Sequence, residues 1–151
     1  MMRNLHVSIA VAALVVAAEA IAVLSPSRLS PESGEGQTIA SLAIPERTKA
    51  IFQRSCKDCH SSETTWPWYS RVQPIAMLIQ HDVSAGRRHL DLSTWGRDPA
   101  RPVVSHNELE EVCDAVSKRS MPPARYLLMH SSAKLSSEDI TSICALADSL
   151  Q

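Results

Sequence analysis

Two cysteines and a histidine stand in one short run, Cys56, Cys59 and His60 of "SCKDCH". In a C-x-x-C-H spacing, two thiols three positions apart can add across the vinyl groups of a haem, and the next residue can present its imidazole to the iron. On a helical turn Cys56 and Cys59 fall near one face, with His60 anchored beside them. Three other chemistries use some of the same atoms. A thiol–disulfide pair also uses C-x-x-C, but it belongs beside a strand–helix–strand pattern that this chain lacks. A structural zinc site could take Cys56, Cys59 and His60, yet it needs a fourth ligand, and adjacent Cys59 and His60 fit poorly in one tetrahedral shell. A Cys56–Cys59 disulfide beside an incidental histidine is the plainest alternative.

With His60 on one side of a haem iron, a sixth position remains. Met77, His81, His89, His106, Met121, Met129 and His130 are candidates, because both thioether and imidazole bind haem iron. Met121, in "KRSMPPARY", leads: Pro122 and Pro123 stiffen the backbone after it and forbid a helix there. His81 is the rival ligand, one turn beyond Met77; its simpler role is a hydrogen bond to a propionate or a carbonyl. With neither bound, the iron would be open to peroxide or a diatomic gas, with His81 as acid–base group. Trp66, Trp68 and Tyr69 of "WPWY" have the flat rings to wall a haem pocket. Arg71, Arg87 and Arg88 could pair with propionates, although a solvated charge is the commoner role for each.

The elements that must position these groups read as helices and loops, with no convincing strand pair. Pro45 precedes a helix over Glu46 to Ser55 that leads into Cys56. Pro74 opens another, with Ile75, Leu78 and Ile79 at helical spacing, expected to end near Gly86. Ser105 and Glu108 form a capping-box pattern before the stripe Leu109, Val112, Cys113, Val116. Ser136 and Asp139 do the same before Ile140, Ile143, Cys144, Ala147.

The 151 residues suffice for one modest domain behind a targeting segment. A formal charge of −1 and a pI near 6.6 carry no nucleic-acid footprint. Three Trp, two Tyr and one Phe are the whole aromatic complement, a thin supply for a core that a bound apolar cofactor would help fill. Residues 1–24, with Arg3 ahead of the apolar run Val7 to Leu24, read as a signal peptide or a retained anchor in the inner membrane. Residues 25–45, rich in Ser, Pro, Gly and Glu, read as a flexible tether. The domain then covers 46–151. Export puts the cysteines in an oxidising compartment, where Cys113 and Cys144, on stripes of separate helices, are expected to pair.

The stretches "CKDCHSSETTWPWYSRVQPIAMLI", "HDVSAGRRHLDLSTW", "MPPARYLLMH" and "KLSSEDITSICALA" resemble, in that order, the small haem-binding domain family of bacterial exported proteins, related to cytochrome c. The resemblance covers roughly the last hundred residues. It implies an all-α, cytochrome c-like domain with one haem, covalent links at Cys56 and Cys59, and His60 as proximal ligand. Met121 as distal ligand follows from similarity to the Met-Pro loop of cytochromes c. The expected function is one-electron carriage outside the inner membrane, to a redox partner the sequence does not specify. The alternatives are a five-coordinate haem domain for gas or peroxide, and an exported thiol–disulfide protein without haem.

Overall fold

Every regular element among the described residues is helical, and none is a strand. The computed structural model describes residues 2–24, 38–95 and 105–149. The all-α expectation therefore holds. The described residues fall into two compact units, one made of the N-terminal helix with Trp66–Asp82, the other of 38–65, 83–95 and 105–149.

In the smaller unit, α1 (Met2–Leu24) is one continuous helix over the apolar run. Among the described residues no helix is long and apolar enough to cross a membrane. The same unit contains a short 3₁₀ turn, Trp68–Arg71, and the beginning of α4 (Ile75–His89), which follows Pro74. The helix does not stop at Gly86 as expected. It continues one turn to His89, and Arg87 and Arg88 place positive charge at its carbonyl end.

The larger unit is built on α2 (Glu46–Ser55), the single turn α3 (Lys57–His60), α5 (His106–Ser117), α6 (Ala124–Leu127) and α7 (Ser137–Asp148). Two of these start on capping boxes. Ser105 Oγ accepts from Glu108 N while Glu108 Oε2 accepts from Ser105 N; Ser136 and Asp139 make the same reciprocal pair. Each box satisfies backbone donors that a helix start leaves without intrahelical partners.

Its core gathers Ile51 and Phe52 of α2, Leu92 and Trp95, Leu109 and Val116 of α5, and Ile143 of α7. Phe52 meets Trp95 edge to face at 5.7 Å, the ring geometry aromatic quadrupoles favour. Cys113 and Cys144 form a disulfide that ties α5 to α7, with Cα atoms 4.9 Å apart.

Part of the segment 25–45, expected as a tether, packs on the domain. Ile39 and Leu42 are buried in this core, and Ile39 N donates to Glu63 Oε2 at 2.9 Å. Two apolar side chains three positions apart on a 3₁₀ turn (Ile39–Ser41) are enough to dock a stretch whose composition is otherwise polar. The rest of that segment, 25–37, lies outside the described residues.

Candidate functional site

The C-x-x-C-H run is delivered by α2. Burial of Ile51 and Phe52 fixes the helix against the core, and the helix closes as Cys56 N donates to Phe52 O at 2.9 Å. The chain then re-enters a single turn: Cys59 N and His60 N both reach Cys56 O, at 3.3 and 3.0 Å. Cys56 and Cys59 are thiols and are not joined to each other.

A second segment, 86–93, wraps this turn. A Cβ on Gly86 would stand 2.5 Å from Cys59 O, so only glycine lets α4 approach the turn this closely. Arg87 donates through Nε to Ser61 O at 2.9 Å and through Nη2 to Thr64 Oγ1 at 2.8 Å. Its guanidinium thus clamps the loop after His60, a structural role where the sequence offered it as a propionate partner. Leu92 N donates to His60 O at 2.7 Å, and Ser93 Oγ accepts from Ser62 N at the same distance. The His60 ring is held from the same side, with Nδ1 3.0 Å from Leu90 O.

That last contact sets the chemistry. A carbonyl only accepts, so Nδ1 carries the proton and Nε2 keeps the ring's lone pair. Burial lowers the pKa of His60 from the usual histidine value; the Leu90 and Gly86 carbonyls oppose the shift, and nearby His89 adds to it. A neutral imidazole of fixed tautomer is a prepared metal ligand. Cys56 goes the other way: burial, reinforced by Cys59 and opposed by Arg54, pushes its thiol up to about 12. Nucleophilic C-x-x-C cysteines have depressed values, so this environment speaks against thiol–disulfide exchange. Among the described residues no group of three or more His, Cys, Asp or Glu is placed to hold a metal ion. Cys56, Cys59 and His60 therefore do not form the shell that zinc would need. The set does suit haem, which asks one nitrogen for iron and leaves the sulfurs for the rim of the macrocycle.

The other candidates are dispersed. Met121 follows α5 and is 41 % exposed, so its thioether is not core filler. Its loop is tied to α5 by Ser120 N and Met121 N on Ala115 O, at 3.0 and 3.4 Å. His106 is engaged at both ring nitrogens, Nδ1 with Ala147 O and Nε2 with Glu110. His130 stacks on Tyr126 with ring centroids 4.2 Å apart. Trp66, Trp68, Tyr69, Met77 and His81 belong to the smaller unit rather than to the one that carries His60. There Trp68 and Tyr69 meet edge to face at 5.8 Å, and His81 Nδ1 lies 3.5 Å from Asp82 Oδ1.

Several contributors escaped the sequence reading. Leu90 acts through its carbonyl, which no side-chain type announces. Gly86 carried a signal, since a lone glycine inside a helical pattern points to close packing. Asp58, between the two cysteines, accepts from Tyr126 Oη at 2.8 Å across 68 positions, a pairing with no local signature.

The haem-binding domain family matches residues 15–149, and the chain belongs to it. The chain is also 25 % identical over 107 residues to the cytochrome c peroxidase Ccp of Escherichia coli strain K12, a match covering 68 % of this chain and 23 % of that protein. The chain thus spans about a quarter of the length of that relative. No solved structure matches it.

Proposed function

We propose that this haem-binding domain is a one-electron carrier of the c type, with one haem joined covalently at Cys56 and Cys59 and ligated by His60 and Met121. The observation that carries the reading is the His60 Nδ1 contact with Leu90 O, which leaves Nε2 as the ligating nitrogen. Haem iron supplies a reversible one-electron change. The chain's part is to hold the imidazole still, through Leu90, Leu92 and Arg87, so that little rearranges as the charge changes. Pro122 and Pro123 serve Met121 in the same way.

The domain is proposed to work outside the inner membrane of a bacterium, delivered by its N-terminal segment acting as signal or anchor, and to exchange electrons with a partner protein. The Cys113–Cys144 disulfide supports an oxidising compartment. A second reading, an open haem that acts on peroxide, draws on the likeness to the peroxidase.

Protein made with a c-type maturation system and extracted with acidified organic solvent should retain one haem per chain, giving a c-type pyridine haemochrome spectrum. Loss of all haem on extraction would refute covalent attachment. Carbon monoxide added to the ferrous protein then separates the two readings: a slow, weak response fits the carrier, and a rapid one the open site.

A further inference from the structure

The loop bearing Met121 is pinned at two ends, and its second pin lands inside the C-x-x-C-H run. At the first end Ser120 Oγ as well as Ser120 N donates to Ala115 O, and Arg119 Nη1 donates to Leu135 O at 3.0 Å. Arg119 itself takes φ 57°, a left-handed conformation that turns the chain sharply out of α5. From Met121 onward the path is stiff: Pro122 and Pro123 restrict it, and Tyr126 N and Leu127 N close the single turn of α6 on Pro123 O at 3.0 and 3.2 Å. That turn carries Tyr126, whose hydroxyl donates to Asp58 Oδ2 at 2.8 Å. The ring is held flat by His130, stacked at an interplanar angle of 10°.

Asp58 is equally well fixed. Its Oδ1 accepts from Thr65 N at 2.9 Å, and its backbone carbonyl accepts from Thr64 Oγ1 at 2.8 Å. The carboxylate is thus a rigid acceptor mounted on the turn between Cys56 and Cys59.

We infer that Asp58 and Tyr126 form a latch that fixes the Met121 loop relative to the haem-attachment turn, and so decides whether the iron's distal side is closed by the thioether or open to outside ligands. Tyr126 and Asp58 are positioning residues: neither needs to touch the haem. The inference rests on the proposal that Met121 ligates the iron. It adds that the choice between a closed carrier and an open, ligand-binding haem is made by one charge-assisted hydrogen bond rather than by the thioether alone.

The test uses full-length haem-loaded protein, the single variants Tyr126→Phe, Asp58→Ala and Met121→Leu, and the Tyr126→Phe/Asp58→Ala double variant, each checked for haem stoichiometry and helical content. Two readouts serve: the sulfur-to-iron charge-transfer band of the ferric protein, and the affinity for imidazole as an added ligand. Tyr126→Phe keeps the ring and its stacking on His130 but loses the donor. It should weaken the band and raise imidazole affinity by roughly ten- to a hundredfold, the range expected for losing one hydrogen bond to a charged acceptor. Asp58→Ala should do the same, and the double variant should add little, because both remove one interaction. If Tyr126→Phe does not fold, Asp58→Ala carries the test alone. Should Met121→Leu abolish the band while Tyr126→Phe leaves band and affinity unchanged, ligation stands and the latch is overturned. Should Met121→Leu change neither readout, Met121 is not the ligand, and the latch falls with it.

Discussion

The imidazole Nδ1 of His60 lies 3.0 Å from the carbonyl oxygen of Leu90, 30 residues further along the chain. A backbone carbonyl cannot donate, so the contact selects one tautomer before any cofactor is present. Ring-nitrogen NMR of the haem-free protein should therefore show Nδ1 protonated and Nε2 bare at neutral pH. Burial adds that protonation of the ring occurs at lower pH than for an ordinary histidine. A spectrum dominated by the Nε2–H form would remove the main support for His60 as a prepared ligand.

Gly86 tests how closely α4 must approach the turn. Alanine favours a helix over glycine by about 1 kcal/mol, whereas overpacking costs about 1 to 3 kcal/mol. Because the added Cβ would meet Cys59 O, a backbone atom, at 2.5 Å, the steric cost should win. Denaturant unfolding of haem-free Gly86→Ala is expected to show a net loss of up to about 2 kcal/mol. A gain in stability would mean that the turn yields freely.

Asp139 supplies a pH dependence of known sign. The Ser136 backbone N–H, then the Ser136 hydroxyl and Arg54, hold its carboxyl below the usual carboxylate range. A depressed acid contributes stability that is present above its unfolded value, near 3.9, and is lost as pH falls through the folded value. At neutral pH, Asp139→Asn should be less stable than wild type by about 1 kcal/mol, the size of a helix-start contact. As pH falls below about 4 and through the folded value, the difference between the two proteins should shrink. Parallel acid-denaturation curves would show that Asp139 does no electrostatic work.

The helix starts were legible because their signals are local. Ser105 with Glu108 and Ser136 with Asp139 lie within one turn of each other, and both capping boxes form. Pro45 and the apolar pair Ile51 and Phe52 likewise marked α2. What escaped was of longer range or carried by the backbone. Ile39 and Leu42 look incidental in a polar stretch until the core they enter is known. Arg87 has the charge to bind a carboxylate, but only folding shows it spent on Ser61 O and Thr64 Oγ1.

The Cys113–Cys144 bridge gives a further prediction. It spans 31 positions between α5 and α7. Chain-entropy arguments assign a loop of that size about 3 to 4 kcal/mol. The Cys113→Ser, Cys144→Ser double variant should lose that much in denaturant unfolding, and reductant should leave the variant unaffected. Equal stability of variant and wild type would show that helix packing alone holds α5 on α7.

The raised pKa of the Cys56 thiol bears on the order of assembly. Thioether formation draws on thiolate, and the raised pKa of this cysteine lowers its thiolate fraction at neutral pH. Under the covalent reading, the attaching machinery must therefore meet the chain early, while 86–93 has not yet closed over the turn. On that reading folding acts as the seal on a finished bond, and a chain folded before attachment is expected to load haem more slowly.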